Sequence, residues 1–218
     1  MSDIDTFTFI PDTVLAPTLV PSIEPVEQTQ GKVTHTVINP ANSWEVAVGR
    51  RVAEALAAGY GHVLTGFEIC DLKGRMIEID SLVVCDRGVF VIECKSLRGR
   101  IEGGLNLPWQ IVQGEQRTRV QCSRGINPRH QCRQQTFAVV EALERIGVRR
   151  HVWVNGAVIV PDTTELALGT VPVDIYNRSA CPVYHLAAFA RVLAELPPLN
   201  GPCGDPDQLA ALIGKLLQ

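Results

Sequence analysis

The feature that most constrains the fold is the segment Met76–Lys95, in which two apolar runs flank a short turn signal. Both runs are rich in valine and isoleucine, and the residues between them, Asp86-Arg87-Gly88, are typical of a hairpin turn. Apart from three charged residues, each run has the composition of a buried strand. The sequence therefore predicts a β-hairpin at the centre of the fold.

The three charged residues of the hairpin are Asp80, Glu93 and Lys95. Side chains alternate along a strand, so Glu93 and Lys95 project to one side and Cys94 to the other. A two-residue loop at Asp86-Arg87 sets Asp80 opposite Glu93, whereas a register shifted by one residue sets it opposite Lys95. In both registers the three side chains share one face, with neighbouring Cβ atoms roughly 5 Å apart.

Two neighbouring carboxylates repel each other unless a cation lies between them. Hard oxygen ligands suit Mg²⁺, which binds one or two carboxylates and keeps several waters. A lysine beside the ion orients an attacking water and stabilises charge that develops on a phosphate. The pattern indicates metal-assisted hydrolysis of a phosphodiester. The alternative is a solvated polar stripe in which Asp80 or Glu93 forms a salt bridge with Lys95, because short patterns of this kind also occur by chance.

The composition is that of a globular protein, with 46% hydrophobic and 20% charged residues. A length of 218 residues allows one large domain or two small ones. No apolar run of about 18 residues occurs and the first residues are acidic, so we expect neither a membrane span nor a secretory signal. Seven cysteines without a Cys-x-x-Cys pair indicate reduced thiols, a cytoplasmic protein and no zinc site.

The net charge of −3 conceals a basic segment. Residues 95–133 hold eight basic and two acidic side chains, a net charge of +6, so the remaining residues carry −9. Binding to a phosphate backbone requires such a segment, although a solvated arginine-rich loop has the same composition. The residues predicted to contact nucleic acid are Arg98, Arg100, Arg117, Arg119, Arg124 and Gln131, and for Gln131 a packed glutamine is the simpler interpretation.

Turn and capping signals divide the rest of the chain. Residues 1–42 carry five prolines and predict an extended arm, with Thr6–Ile10 as a candidate edge strand. The elements predicted after it are a helix over 43–58, a strand over 62–69, the hairpin, strand pieces near 100–102 and 110–112 in an irregular stretch, a helix from Asn127 to Ile146, strands over 151–160 and 171–175, and a helix over 184–196. A last helix from Asp205 carries a leucine-rich stripe that must dock on the body of the chain or on a partner.

Glu45 lies on the apolar stripe of the first predicted helix, together with Val48 and Val52. A carboxylate on a buried face needs a partner, and an arginine, a backbone end or the metal site would each supply one. The residues alone favour a structural role for Glu45 slightly over a functional one.

A set of residues matches a known family over about 43–160: Ile79-Asp80 with Val83-Val84, the block Gly88–Lys95, then Gly99, Ile101, Trp109, Asn127-Pro128 and Gln131. With the order helix, three strands, helix, strand, they resemble the nuclease-related domain (NERD) family of the PD-(D/E)xK nuclease superfamily. The resemblance implies an α/β restriction-endonuclease-like fold, in which helices flank the mixed central sheet of an αβββαβ core. It also implies that Asp80 and Glu93 ligate a divalent metal and that Lys95 assists the water.

The first predicted helix departs from the family pattern. Members of the family, which is mostly bacterial, usually carry a glutamate where this chain has Gly49, ahead of Val52 and Leu56. Glu45 lies one turn earlier on the same face and is the candidate replacement, which makes it the fourth predicted catalytic residue.

These inferences predict an arm over 1–42, a nuclease-like core over 43–160 and a C-terminal part over 161–218. The predicted function is hydrolysis of DNA with Mg²⁺ or Mn²⁺, and RNA is the other polynucleotide to test. The alternative is a catalytically inactive module of the same fold that binds nucleic acid or assembles proteins. The last helix also predicts a homodimer interface.

Overall fold

The computed structural model describes residues 32–38, 42–57, 59–147, 152–169 and 181–199, together with positions 208, 211, 212 and 215. The elements in chain order are β1 (Lys32–Val37), α1 (Ser43–Ala55), β2 (Tyr60–Cys70), β3 (Met76–Cys85), β4 (Gly88–Cys94), β5 (Arg100–Gly104), β6 (Leu107–Gln113), β7 (Gln116–Arg119), α2 (Pro128–Arg145), β8 (Val154–Val160), β9 (Glu165–Leu168), β10 (Val183–His185) and α3 (Leu186–Glu195).

A six-stranded mixed sheet forms the centre, in the order β1-β2-β3-β4-β8-β10. Strand β3 is antiparallel to both of its neighbours, β2 and β4, whereas β1, β8 and β10 each pair in parallel with a neighbour. The helix α2 packs on one face of this sheet, and α1 and α3 pack on the other. The mixed central sheet between helices confirms the predicted α/β class and is consistent with a restriction-endonuclease-like fold.

The predicted hairpin lies in the middle of the sheet. Every residue of β4 is buried, since one side of the strand faces α2 and the other faces α1 and α3. The pairs Cys85–Gly88 and Ser81–Ile92 define the register, so Asp86 and Arg87 form a two-residue loop. The first of the two predicted registers is therefore confirmed.

A second sheet has four strands in the order β7-β6-β5-β9. Strands β5, β6 and β7 form from the stretch that the sequence predicts to be largely irregular, and β9 follows β8. The strand pieces predicted near 100–102 and 110–112 are parts of β5 and β6, but β7 and β9 were not predicted. All four residues of β7 are exposed, so this strand lacks the apolar alternation by which strands are recognised in a sequence. One face of the second sheet packs Ile101 and the fully buried Trp109 against the core.

Residues 32–37 correct the predicted extended arm, because they form β1 at the edge of the central sheet. Their sequence, KVTHTV, is rich in β-branched residues and pairs with β2 from Lys32–Tyr60 to Val37–Thr65. The proposed edge strand Thr6–Ile10 lies outside the described residues. The division of the chain near 42 and 160 remains a prediction.

The C-terminal part is described only in places. The helix predicted over 184–196 is observed as α3, whereas the strand predicted over 171–175 lies outside the described residues. Of the apolar stripe predicted for the last helix, Leu212 alone is described; it is 6% exposed and belongs to the α2-side core. This contact favours docking on the body of the chain, and the homodimer remains a prediction.

Candidate active site

Strands β3 and β4 separate where Asp80 and Glu93 lie. The ladder of paired residues ends at Ser81–Ile92, and these two carboxyl-bearing residues come next along each strand. The Oδ2 atom of Asp80 accepts a hydrogen bond of 2.7 Å from the backbone N–H of Cys94. Asp80 is thus joined to β4 through its side chain, at the point where the two strands diverge.

The side chains of β3 depart from regular alternation beside this point. Ile79 and Leu82 both pack into the α2-side core, although strict alternation would turn them to opposite faces. Gly66 of β2 lies across from this step and has a φ of 70°, a left-handed conformation that favours glycine. The irregular step directs Asp80 out of the regular alternation of β3, which the sequence pattern did not indicate.

Glu93 is completely buried and is held from two sides. Its Oε2 atom accepts a hydrogen bond of 2.7 Å from Nε2 of Gln135 on α2. Its Oε1 atom lies 2.6 Å from Nζ of Lys95, in an ion pair. Gln135 also donates to the carbonyl oxygen of Glu78 at 3.0 Å. It therefore links α2 to both strands of the hairpin.

Burial raises the pKa of both carboxyl groups. The pKa of Asp80 rises to about 6 because of burial, which outweighs the hydrogen bond from Cys94 and the positive charge of Lys95. The pKa of Glu93 rises to about 8 because of burial and then the neighbouring Asp80, and Lys95 offsets only part of this. Burial alone would lower the pKa of Lys95, but Glu93 and Asp80 raise it. Asp80 and Glu93 therefore have less positive charge around them than two ionised carboxylates need.

Two further carboxylates belong to the same electrostatic neighbourhood. Glu45 of α1 is 9% exposed, and its pKa rises to about 7 because of burial, then Asp80, then Glu78. Glu78 is exposed on β3, two residues before Asp80. We call Glu45, Glu78, Asp80 and Glu93 the carboxylate cluster. The sequence analysis missed Glu78 and the anchoring role of Gln135; the position of Gln135 one turn after Gln131 on α2 was the available signal.

A search of protein families matches residues 41–161 to the nuclease-related domain, which is more than half of the chain. The chain belongs to the nuclease-related domain family. The family match confirms the resemblance read from the hairpin. Searches of curated proteins and of solved structures give no match.

The resemblance to the family pattern places the usual helix glutamate at Gly49 of this nuclease-related domain. A Cβ atom at Gly49 would stand 2.5 Å from Nε2 of His35 and 2.5 Å from Oγ1 of Thr65. Thr65 is hydrogen bonded to both His35 and Ser81, at 3.1 Å each. The space that a side chain at position 49 would need is therefore filled, and Glu45 is the carboxylate that α1 brings to the cluster.

The residues predicted to contact nucleic acid do not gather around the carboxylate cluster as one set. Arg100 and Arg117 lie on the second sheet and both form ion pairs with Glu102. Arg98 and Arg119 are exposed. Arg124 donates a hydrogen bond of 2.8 Å from Nη2 to the carbonyl oxygen of Met76. Gln131 is 6% exposed and accepts a hydrogen bond of 3.2 Å from the backbone N–H of Ser123. The packed interpretation of Gln131 fits its burial.

An open concavity of about 520 Å³ lies on the polar face of the second sheet, lined by Arg100, Glu102, Gln110 and Arg117. It is separate from Asp80 and Glu93, which do not line it.

Among the described residues, no three side chains of aspartate, glutamate, histidine or cysteine are grouped closely enough to hold a metal ion. None of the helices in the described part of the chain has the length and apolar character needed to cross a bilayer.

Proposed function

We propose that this nuclease-related domain hydrolyses phosphodiester bonds of DNA with the help of a divalent metal ion. The observation that carries the proposal is the placement of Asp80 and Glu93, two buried carboxylates with raised pKa values, beside Lys95 where β3 and β4 part. Family membership supports a nuclease-related role in general. DNA, the metal and the catalytic roles are our inference.

The chemistry of the donor set fits Mg²⁺ or Mn²⁺. All the candidate ligands are carboxylate oxygens, which these hard cations prefer, and Mg²⁺ sites commonly use only one or two carboxylates with water completing the shell. A pair formed by Asp80 and Glu93 is therefore sufficient without a third protein ligand. Binding requires Glu93 to exchange its contact with Lys95 for the ion. When bound, the ion would polarise a phosphate oxygen and lower the pKa of a coordinated water.

The residues around the pair have separate roles in this proposal. Lys95, released from Glu93, stabilises negative charge on the phosphate. Gln135 keeps the carboxylate of Glu93 in place through the hydrogen bond to Oε2. Glu45, with a pKa of about 7, accepts a proton from the attacking water near neutral pH. Asp80 keeps one oxygen on Cys94, so its other oxygen is the candidate ligand.

The phosphate backbone would be held by basic side chains of the 95–133 segment. Arg98 and Arg119 are exposed; Arg98 lies two residues before β5, and Arg119 is the last residue of β7. Arg100 and Arg117 would have to share their charge with Glu102 or release it on binding. This part of the proposal rests on charge and exposure, and it predicts binding that weakens as salt is raised.

Cleavage of DNA by the purified chain tests the proposal. Supercoiled plasmid and a labelled single strand are incubated with Mg²⁺, with Mn²⁺ or with EDTA, and an RNA of the same sequence serves as a third substrate. We expect metal-dependent cleavage that disappears in Asp80→Asn and Glu93→Gln. Glu144→Gln, the same change at an exposed position of α2, is the matched control and should cleave like the wild type. Equal cleavage by all four proteins would show that the activity has another source.

A catalytically inactive module of the same fold is the second candidate function. It is favoured by the engagement of Glu93 with both Lys95 and Gln135 and by the filled space at Gly49. DNA binding that is sensitive to salt but gives no turnover with any divalent ion would support it.

A further inference from the structure

Two buried cysteines that the proposed function does not use lie side by side. Cys132 belongs to α2 and is 0% exposed, and Cys181, two residues before β10, is 1% exposed. Both belong to the core cluster that includes Trp109 of the second sheet. The pair therefore joins elements that are far apart in the sequence.

Because Gly156 of β8 has no side chain, the sulfur atoms of Cys132 and Cys181 both fit beside it. A methyl group at Gly156 would stand 2.8 Å from the sulfur of Cys132 and 2.9 Å from that of Cys181. Both sulfurs thus lie against the same point of the backbone, and the two thiols are near enough to shift each other's pKa. The thiol of Cys132 also contacts the carbonyl oxygen of Ala157, with 3.5 Å between sulfur and oxygen. Sulfur atoms in such contact need only a short approach to reach disulfide geometry.

Neighbouring groups make the thiol of Cys181 more reactive than that of Cys132. The neighbouring thiol of Cys132 lowers the pKa of the Cys181 thiol; burial opposes this, and the charge of Arg129 lowers the pKa further. Arg129 also donates from Nε to the carbonyl oxygen of Cys181 at 3.0 Å. Burial raises the pKa of Cys132 well above its ordinary value. Since the thiolate is the reactive form, Cys181 is the nucleophile of the pair.

We propose that Cys132 and Cys181 form a dithiol that peroxides oxidise to a disulfide between α2 and the segment entering β10. The thiolate of Cys181 attacks one oxygen of hydrogen peroxide, the O–O bond breaks, and a sulfenic acid forms while the other oxygen takes up a proton and leaves as water. The sulfur of Cys132 then attacks the sulfenic sulfur, the S–O bond breaks, and the thiol proton leaves with the hydroxide as a second water. Two thiols and one peroxide give one disulfide and two waters.

Position in the sheet makes this pair more accessible than other buried cysteines. Strand β10 is a three-residue strand at the edge of the central sheet, paired with β8. Cys181 itself has a φ of 41°, a conformation that is unfavourable for a residue other than glycine. Short edge strands open locally more readily than central ones, so peroxide should reach Cys181 before Cys85 of β3 or Cys94 of β4.

Peptide mapping of the full chain tests the inference. The reduced protein is exposed to hydrogen peroxide under native conditions, denatured, alkylated, digested and analysed by mass spectrometry without reductant. We expect a Cys132 peptide joined to a Cys181 peptide, with a mass lower by two hydrogen atoms than the sum and separable by dithiothreitol. Cys85 and Cys94 should still be alkylated in full, which makes them internal controls.

Single variants distinguish the two roles within the pair. In Cys181→Ser, Cys132 should remain reduced, because it lacks the nucleophile that reacts first. In Cys132→Ser, Cys181 should proceed to sulfinic acid, because no resolving thiol is present. Full alkylation of both cysteines in the treated wild type, or a bridge from either one to a different cysteine, would overturn the proposal. The outcome does not depend on nuclease activity, so its failure leaves the proposed function untouched.

Discussion

The carboxylate cluster and the polar face of the second sheet use the same kinds of charged side chain in opposite ways. In the cluster, Glu93 is 0% exposed and its partner Lys95 has an 18% exposed side chain. On the second sheet, Arg100, Arg117 and Glu102 have side chains that are 48%, 53% and 31% exposed. Glu102 pairs with both arginines, and Arg100 also pairs with Glu165, so two acids face two guanidinium groups. The first region is short of positive charge, whereas charges in the second are matched.

Burial is the reason for the difference. In water, a pair such as Arg117 and Glu102 exchanges hydration for contact with little net gain, and such pairs usually contribute about 0–1 kcal/mol. Inside the protein, an ionised carboxylate that is not compensated changes its pKa instead, as Asp80 and Glu93 do. In the proposed function a divalent cation would supply the positive charge that the cluster lacks, and the second sheet has no such requirement. Substitutions in the two regions should differ accordingly.

The largest expected contrast is in catalysis. Replacing Lys95 by methionine removes the charge proposed to stabilise the phosphate, and the cleavage rate should fall by about 100-fold to 1,000-fold. Arg117→Met, the matched change on the second sheet, should leave the cleavage rate at saturating DNA within about threefold and weaken DNA binding at low salt. Single-turnover cleavage and a salt titration of binding measure the two effects. Similar losses of cleavage rate in Lys95→Met and Arg117→Met would contradict the expected difference between the two regions.

Filling the space at Gly49 should affect stability next most strongly. A glutamate there would collide with His35 and Thr65, and forcing a side chain into a packed site costs about 1–3 kcal/mol. We expect Gly49→Glu to lower the free energy of unfolding by about 2–3 kcal/mol in urea. Ala47→Glu, at an exposed position of the same helix, should have little effect. A stable Gly49→Glu protein that binds metal more tightly would mean that the family glutamate is simply missing.

The metal-free protein should lose stability as the pH rises. The raised pKa values of Asp80 and Glu93 mean that the folded state holds their protons more tightly than the unfolded chain does. Unfolding in EDTA should therefore require about 2 kcal/mol less at pH 8 than at pH 5. Glu93→Gln should flatten this slope, and Mg²⁺ should restore stability at pH 8. Starting at pH 5 avoids Asp71, whose pKa of about 2, held down by Arg75, acts only in stronger acid. Burial lowers the pKa of His35 and His62, which acts in the opposite direction below pH 6.5, and comparison with Glu93→Gln subtracts that contribution.

Loss of the α2 anchor should have a smaller effect. Gln135→Leu leaves the Oε2 atom of Glu93 without its donor, and an unsatisfied buried acceptor costs about 1–3 kcal/mol, less here because Glu93 can take up a proton. We expect a loss of about 1 kcal/mol and weaker binding of Mn²⁺ by roughly tenfold, measured by calorimetry. Gln134→Leu, the exposed neighbour on α2, provides the control. Unchanged Mn²⁺ affinity in Gln135→Leu would argue against its positioning role.

The smallest expected effect belongs to the second sheet. Glu102→Gln removes the acid shared by Arg100 and Arg117 but leaves two exposed guanidinium groups and a partly exposed amide, which water can solvate. Stability should change by less than about 0.5 kcal/mol. DNA binding should become tighter by a few-fold, because Arg117 is released for phosphate while Arg100 keeps its ion pair with Glu165. Weaker DNA binding would place the nucleic acid elsewhere on the molecule.

Much of the central fold could be predicted because it depends on near neighbours. The hairpin follows from two apolar runs around Asp86-Arg87, and α2 begins at the Asn127-Pro128 signal and ends near Ile146. The second sheet was harder to predict because β7 consists of exposed polar residues and β9 pairs with β5 across many intervening residues. The roles of Glu78 and Gln135 were not predicted, because they depend on contacts between elements that are distant in the sequence: Glu78 of β3 acts on Glu45 of α1, and Gln135 of α2 contacts β3.

The sequence by itself determined the family, the order of the core elements and the identity of the acids and the lysine in the hairpin. Alternation along strands and capping of helices are local rules, so those features can be read from a linear chain. Only the tertiary structure decided that Glu93 is sealed between Lys95 and Gln135 and that His35 and Thr65 fill the space at Gly49. Burial and long-range neighbours set a carboxylate's charge state, and neither is contained in its position along the chain.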